Sequence, residues 1–234
     1  MKLLTAALAA LAFAFIALPA TAQDASAPAA SATPAPSSLN PAQKAALEKV
    51  IHDYLIEHPE VIKEAILALQ AKEDASKADA QAQAVTEHKD ELYSDPATPV
   101  AGNPVGDVTI VEFFDYHCPY CKAVAEPLDQ LLKEDKGIRL VLKEFPILGD
   151  DSVLASRAAL ASVQQGKYWA YHQALMAHRG AFDADTLKAI ALKVGLDPAK
   201  LETAMNDPKV APLIQANHKL ADALDVGATP TFVI

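Results

Sequence analysis

The two cysteines of the chain stand three residues apart, where a strand-like run gives way to a helix-like one. Residues 108–114 read VTIVEFF, a nearly continuous apolar run with β-branched and aromatic side chains, which is typical of a central buried strand. The motif HCPYC holds Cys118 and Cys121, and KAVAEPLDQLLKED continues it with a helical pattern. The thiol pair is therefore predicted to lie at the start of a helix that follows a strand.

A helix N-terminus favours a thiolate, because it carries partial positive charge and unpaired N–H groups. Cys-x-x-Cys motifs lower thiol pKa values for similar reasons, and Pro119 suits the first helical turn, where its missing N–H costs nothing. Cys121 lies three residues further along the same helix, facing Cys118 but more shielded. This geometry predicts that Cys118 attacks or is attacked in a mixed disulfide and that Cys121 resolves it.

Two other interpretations of the pair stay open. A structural disulfide is the weaker interpretation, since a disulfide across two residues constrains the unfolded chain very little. A structural zinc site normally needs four ligands, and His117 is the one neighbouring candidate within the motif. Cu(I) can be held by two thiolates alone, so copper or other metal binding by the same dithiol is the alternative function. We expect no resident metal.

The N-terminal segment is predicted to be removed. Residues 1–22 combine Lys2, an apolar run from Leu3 to Leu18, and an Ala-x-Ala ending at Ala22, which is the pattern of a secretory signal peptide cut after Ala22. A membrane anchor is the alternative, although the apolar run is short for a span of about 20 residues. Residues 23–38 are rich in Ala, Pro and Ser and predict a flexible linker.

Residues 39–93 are predicted to form a helical region. Asn40 and Pro41 suit an N-cap and a first helical position, and Pro59 ends the first helix and opens the second. Apolar positions on one face of the first helix and the start of the second predict self-association through residues 41–92, with docking on the neighbouring domain as the alternative. These positions are Leu47, Val50, Ile51, Tyr54, Leu55, Val61, Ile62, Ala65, Ile66 and Leu69.

Residues 94–234 predict a single α/β domain. A Pro/Gly-rich boundary covers 94–107, a second strand covers 138–148, and four helical stretches cover 151–165, 167–178, 184–194 and 198–225. GATPTFVI then forms a turn and the start of another strand. Since the sequence stops within that strand, we expect a chain truncated at its C-terminus. The formal net charge of −10 argues against a nucleic-acid partner, which needs a basic face.

The segment VEFFDYHCPYCK resembles the active site of the DsbA family of periplasmic thiol–disulfide oxidoreductases. The resemblance covers about residues 95–234, including the helical insertion between the strands, and it implies a thioredoxin-like fold. The segment HPEVIKEAILALQ resembles the N-terminal helical extension of the ScsC-like subgroup, some members of which oligomerise through it. The domain organisation is then a signal peptide (1–22), a linker (23–38), a helical oligomerisation region (39–93) and a thioredoxin domain (94–234).

The resemblance implies a role for individual residues of the motif. Cys118 matches the nucleophile and Cys121 the resolving cysteine, and the dipeptide Pro119-Tyr120 between them tunes the redox potential. His117 could act on the thiolate electrostatically or could be an exposed loop residue.

Outside the motif, three further residues match family positions. Thr229-Pro230 matches the cis-proline loop, whose backbone would pair with a substrate strand. Glu112 matches a buried acid that relays a proton to or from Cys121, with a solvated edge position as the alternative.

Together these features predict an exported, periplasmic thiol–disulfide oxidoreductase. Its cofactor is the redox-active disulfide Cys118–Cys121, and its partners are cysteine-containing exported proteins and a membrane protein that regenerates the pair. Pro119-Tyr120, the Thr before the cis-proline and the oligomerising helices slightly favour an isomerase over an oxidase.

Overall fold

A computed structural model describes residues 39–234. The predicted signal peptide and linker, residues 1–38, lie outside the described residues. The described residues divide into two compact units, one that ends at Val61 and one that comprises Ile62–Ile234.

Helix α1, Pro41–Glu57, begins as the sequence predicts. The Asn40 side chain accepts a hydrogen bond from the Gln43 N–H (2.9 Å), and the Gln43 side chain accepts one from the Asn40 N–H (3.0 Å). This capping box satisfies two N–H groups that a helix start leaves unpaired. The helix ends before Pro59, and none of its residues is buried.

Helices α2 (Glu60–Glu87) and α3 (Lys89–Tyr93) follow. One continuous helix was expected up to Tyr93, but the structure interrupts it at His88, whose backbone is not helical (φ −100°, ψ 21°). The interruption places Leu92 in a hydrophobic cluster with Phe113 and Leu220. Burial of an apolar side chain of this size stabilises by about 2 kcal/mol, which outweighs the loss of a few helical residues.

Within the described part of the chain, four strands form one mixed sheet in the order β1-β3-β2-β4. Strands β2 (Val108–Phe114) and β3 (Ile138–Glu144) are parallel, as a strand–helix–strand unit requires, with Phe114 opposite Glu144. Strand β1 (Val100–Gly102) pairs antiparallel with β3, and β4 (Thr231–Val233) pairs antiparallel with β2.

Two strand predictions are corrected by the sheet. The boundary segment 94–107 was expected to be irregular, yet it contains the edge strand β1. The second strand was expected to reach residue 148 but ends at Glu144, because Pro146 has no N–H for the ladder.

Helices cover both faces of the sheet. Helix α4 (Pro119–Glu134) connects β2 to β3 and continues through Pro127. The insertion between β3 and β4 is helical, as predicted, and comprises α5 (Asp150–Ser162), a 3₁₀ turn (Val163–Gln165), α6 (Tyr168–Ala177), α7 (Ala184–Lys193), α8 (Pro198–Met205) and α9 (Val210–Ala223). This is an α/β thioredoxin-like architecture with a helical insertion, preceded by a helical extension.

The two faces of β2 contribute to two different hydrophobic cores. Ile110 and Phe114 belong to the core that contains α4, α6 and both cysteines. Val111 and Phe113 point the other way, into the core that contains Leu220 of α9. Strand alternation therefore places Glu112 on the same face as Ile110 and Phe114, the face that carries the cysteines. Between residues 39 and 234 there is no helix with the length and apolar character needed to cross a membrane.

Lys143 lies on the opposite face of the sheet and is 1% exposed. Its Nζ donates to the Glu91 carbonyl (2.7 Å) and to the Thr98 hydroxyl (2.8 Å), and Asp95 lies 3.9 Å away. Burial lowers the pKa of Lys143, and the charges of Asp95 and Glu91 oppose that shift. Lys143 thus fastens the segment that precedes β1 to the sheet.

We expect Lys143→Met to lower the free energy of unfolding by about 2 kcal/mol, since it leaves two partly buried hydrogen bonds without their donor. Urea unfolding of the reduced protein measures this change. The matched control is Lys133→Met on the exposed surface of α4, where loss of the pair with Asp129 should cost less than about 1 kcal/mol. Equal losses in the two variants would contradict the role assigned to Lys143.

Candidate active site

Cys118 is the N-cap residue of α4. Its backbone is extended (φ −66°, ψ 117°), its sulfur accepts a hydrogen bond from the Cys121 N–H (3.4 Å), and Pro119 is the first residue of the helix. The sequence-based placement of the thiol at a helix start is thus what the structure shows. The sulfur takes the position in which an oxygen side chain normally caps a helix.

The environment of Cys118 stabilises its thiolate. Cys118 is 3% exposed, and burial by itself would raise the pKa of its thiol. Hydrogen bonds from the Thr229 side chain and the Cys121 N–H act in the opposite direction, with a further contribution from the Tyr120 N–H. These donors outweigh burial, and the pKa of Cys118 is lowered.

Cys121 has the opposite environment. It is fully buried, and burial raises the pKa of its thiol to about 12, while a hydrogen bond from the Asp115 backbone opposes this only in part. Both cysteines are free thiols in this structure. The environment of Cys118 therefore favours its thiolate, while its neighbour Cys121 is held as a neutral S–H.

The loop before β4 approaches the thiol from across the fold. The Thr229–Pro230 peptide bond is cis, as the resemblance implies. In its protonated form Cys118 donates to the Thr229 carbonyl at 3.2 Å, although the two residues are 111 positions apart. Pairing of β4 with β2, with Phe232 opposite Glu112, brings this loop to the end of the strand that carries the cysteine motif.

The turn between β2 and α4 is anchored by Asp115, a residue that the sequence analysis did not single out. Its Oδ1 accepts from the His117 N–H (2.6 Å) and the Ser152 hydroxyl (2.7 Å), and its Oδ2 accepts from the N–H groups of Ile147 (2.8 Å) and Leu148 (2.9 Å). Four donors satisfy a fully buried carboxylate. A lone aspartate directly after an apolar strand was the signal available in the sequence.

The other residues of the motif have less buried positions. Tyr120 is 73% exposed at the mouth of the site. The His117 ring packs on Phe182, with centroids 4.9 Å apart, and its Nε2 lies 3.7 Å from the Asp151 carboxylate. His117 is thus partly buried and faces an acidic side chain, so it is more than an exposed loop residue.

Glu112 is buried, and the alternative of a solvated edge position is wrong. The residue is 2% exposed, and burial raises the pKa of its carboxyl to about 7. Strand alternation places it on the face of the sheet that carries Ile110 and Phe114, in the core with the two cysteines. A carboxyl with such a pKa can exchange a proton at neutral pH.

A second buried carboxyl, Glu144, was missed by the sequence analysis. It lies on the same face of the sheet and accepts hydrogen bonds from Tyr116 and Tyr168. The available signal was a charged residue at the end of an apolar strand. Among residues 39–234 the structure shows no group of three or more His, Cys, Asp or Glu side chains arranged to hold a metal ion.

The fold and this dithiol site define a thioredoxin-like protein of the DsbA type. A family model described as the DSBA-like thioredoxin domain matches residues 109–234, and one described as the copper resistance protein ScsC N-terminal domain matches residues 43–75. The chain belongs to the family of DSBA-like thioredoxin domain proteins, and its helical extension matches the ScsC N-terminal domain.

Solved structures give the same assignment. A thioredoxin-like oxidoreductase from Silicibacter pomeroyi DSS-3 is 48% identical, with 62% of this chain and 83% of that chain covered and a TM-score of 0.60. ScsC of Proteus mirabilis in a transitional conformation is 31% identical, with 84% and 87% covered and a TM-score of 0.60. A periplasmic thioredoxin-like protein from Salmonella enterica serovar Typhimurium is 32% identical, with 62% and 82% covered and a TM-score of 0.58.

Curated relatives that the chain matches include Na⁺/H⁺ antiporters. NhaA 3 of Salinispora tropica is 30% identical over 137 residues, which are 58% of this chain and 21% of the antiporter. The chain thus spans about a fifth of the length of these relatives.

The raised pKa of Glu112 predicts a pH-dependent stability. Between about pH 4.5 and 7 the folded protein keeps a proton on Glu112 that the unfolded chain has lost, so the free energy of unfolding falls as pH rises through this window. We expect Glu112→Gln to remove this loss. The free energy of unfolding of the variant minus that of the wild type should therefore be about 3 kcal/mol larger at about pH 8 than at about pH 4.5.

Urea unfolding of the reduced proteins at the two pH values measures this difference. Glu144 and the cysteines are common to both proteins and cancel in the comparison. Glu126→Gln, on the exposed surface of α4, should keep the wild-type pH dependence. If Glu112→Gln showed the same pH dependence as the wild type, the Glu112 carboxyl would be ionised in the folded protein, which contradicts the raised pKa.

Proposed function

We propose that the protein is an exported thiol–disulfide oxidoreductase that exchanges disulfides with cysteine-containing exported proteins. The observation that carries this proposal is the asymmetry of the pair. Donors lower the pKa of Cys118 at the helix start, while burial raises that of Cys121 to about 12. Thiolates, and not thiols, attack disulfides, so this difference fixes which sulfur reacts first.

In the reductive direction the Cys118 thiolate attacks one sulfur of a substrate disulfide. A Cys118–substrate bond forms, the substrate S–S bond breaks, and the other substrate sulfur leaves as a thiolate that takes a proton from water. Cys121 then loses its proton and attacks the Cys118 sulfur, which forms the Cys118–Cys121 disulfide and releases the second substrate thiolate. The substrate gains two electrons and the pair loses two. The oxidative direction is the reverse sequence.

Glu112 is our candidate for the group that takes the Cys121 proton. It lies on the sheet face that belongs to the same core as Cys121, and burial keeps its pKa near 7. A carboxyl with a pKa near neutrality can both accept and return a proton during one cycle. A normal exposed carboxylate would return the proton poorly.

Substrate would bind beside the cis-proline loop. The Thr229 carbonyl is directed at Cys118, and the partly exposed backbone of this loop can pair with an extended peptide. Exposed Pro119 and Tyr120 complete the rim on the other side of the thiol.

A periplasmic location is supported by the signal-peptide pattern of residues 1–22 and by similarity to a periplasmic thioredoxin-like protein. Proteins with stable disulfides, the proposed substrates, also occur mainly in oxidising compartments such as the periplasm. Reduction of a substrate leaves the Cys118–Cys121 pair oxidised, and oxidation of a substrate leaves it reduced. We therefore propose a membrane redox partner that returns the pair to its starting state.

Helix α1 supports self-association through residues 41–92. Its apolar face is formed by Leu47, Val50, Ile51 and Tyr54, each about half exposed or more, with Val50 at 64%. An apolar stripe of this kind on a solvent-exposed helix is typical of an interface. Oligomers present several thiol pairs to one misfolded substrate, and for this reason we slightly favour an isomerase.

Serine variants of the two cysteines test the exchange reaction. We expect Cys118→Ser to lose all measurable reduction of a model protein disulfide. Cys121→Ser should lose turnover but accumulate a covalent adduct of one substrate per chain, detected by mass spectrometry, since the mixed disulfide is no longer resolved. The proposed function would be refuted if Cys118→Ser still reduced the model disulfide. It would also be refuted if Cys118→Ser formed the substrate adduct on Cys121.

Self-association is tested with two glutamate variants of α1. Val50→Glu places a charge in the apolar face and is expected to convert the oligomer to a monomer in sedimentation-velocity measurements. Ala45→Glu adds the same charge on the opposite side of the helix and should leave the oligomer intact. A wild-type protein that sediments as a monomer, or equal dissociation in both variants, would contradict an interface formed by this face.

A further inference from the structure

Glu144 is at the centre of a buried hydrogen-bonded cluster beneath the cysteine turn. Its Oε1 accepts from the Tyr116 hydroxyl (3.0 Å) and from the Tyr168 hydroxyl (2.7 Å). His172 Nδ1 lies 3.1 Å from the Tyr116 oxygen. All four side chains are buried. The cluster joins the sheet, the cysteine turn and helix α6.

The hydrogen bonds of this cluster run in one direction. Burial lowers the pKa of His172 to about 3, so the imidazole is neutral and carries one ring proton. Tyr116 has a single hydroxyl proton, which it gives to Glu144. His172 must then carry its proton on Nδ1 and donate to the Tyr116 oxygen. Glu144 is thus the terminal acceptor on which the orientation of Tyr116 depends.

Tyr116 has little freedom to move without this bond. Its ring makes edge contacts with Phe114 (centroids 5.3 Å apart), His172 (5.6 Å) and Phe182 (6.2 Å). Because the residue is fully buried, loss of the acceptor would leave a hydroxyl without a partner, which is costly in such a site.

The backbone of Glu144 is itself fixed. Its Cα lies opposite Phe114 in the parallel pair of central strands, and its carbonyl accepts from the Asn217 side chain (3.0 Å). The following residue, Phe145, donates its N–H to the Phe114 carbonyl (2.9 Å). The backbone that carries the Glu144 carboxyl is therefore held in place, so the carboxyl can fix the position of the turn.

Tyr116 transmits this constraint to the reacting sulfur. It stands two residues before Cys118 and directly after Asp115, whose carbonyl accepts from the Cys118 N–H (3.1 Å). Asp115 anchors one side of the turn to the loop after β3, and Tyr116 anchors the other to Glu144. A shift of either residue would move the Cys118 sulfur relative to its donors on Cys121 and Thr229.

We propose that Glu144 is a positioning residue for thiol exchange, holding Tyr116 so that the Cys118 sulfur stays aligned with the groups that stabilise its thiolate. The proposal rests on the function proposed above and adds a residue that does not touch the reacting atoms. Its effect is expected on the acidity of Cys118 and not on the chemistry of the exchange itself.

The test measures the pKa of Cys118 from the pH dependence of its alkylation in the reduced, full-length protein. Tyr116→Phe removes only the hydroxyl, and Glu144→Leu removes the acceptor. Each should raise the pKa of Cys118 by about half a unit or more, which lowers the thiolate fraction about threefold at a pH below the midpoint. Glu144→Gln keeps a carbonyl acceptor of the same shape and should stay near the wild-type value.

Tyr171→Phe is the matched control. Tyr171 is a fully buried tyrosine of the same helix as Tyr168, but its hydroxyl donates to the Leu187 carbonyl (3.0 Å), away from the turn. It should lower the free energy of unfolding without moving the pKa of Cys118. The ionisable side chains beside the site are unchanged in every variant; they are His117 and its neighbour Asp151, and Lys122 and Arg179, which line the same surface cleft as His117 and Pro119.

A Tyr116→Phe protein that folds and keeps the wild-type pKa of Cys118 would overturn the proposal, as would an equal shift in Tyr171→Phe. If Glu144→Leu does not fold, Tyr116→Phe decides the question alone. These outcomes are independent of the proposed function, which fails if exchange persists without Cys118 or if the substrate adduct forms on Cys121 instead.

Discussion

The hydrogen bonds that converge on the Cys118 sulfur are the interaction on which the function of this fold depends. Burial alone would make Cys118 a weak acid and a poor nucleophile. Donors from the start of α4 and from the loop of Thr229 reverse that effect. Both elements are placed by the central strand β2, which ends just before the cysteine turn and pairs with the strand that follows the loop.

The same low-dielectric core serves three groups in different ways. It raises the pKa of Cys121 and so keeps the second thiol protonated until it is needed. It raises the pKa of Glu112 into the neutral range, where a carboxyl can take up and release a proton. It also makes each hydrogen bond of the cluster around Glu144 costly to lose, because a lost partner is not replaced by water in a buried site. Reactivity and rigidity thus have one physical origin.

Local signals predicted a large part of this structure. The apolar run of β2, the thiol at the helix start and the capping box at Asn40 are encoded within a few neighbouring residues, so sequence patterns identify them. Asp115 and Glu144 were missed because their roles depend on residues far away in the sequence: Ser152 is 37 positions from Asp115, and Tyr116 is 28 positions from Glu144. The burial of Glu112 could not be decided from local sequence either, because it depends on β4, a strand distant in the sequence that pairs with β2 and places Phe232 opposite Glu112.

The central claim is that the fold divides the two thiols into an anion and a neutral partner. It is tested most directly by alkylating the reduced protein over a range of pH and identifying the modified cysteine by mass spectrometry. The account predicts that Cys118 reacts with a midpoint below about 8.5, the value of an ordinary cysteine thiol, while Cys121 stays unmodified throughout that transition. A single transition at or above that value, with both cysteines modified together, would contradict it.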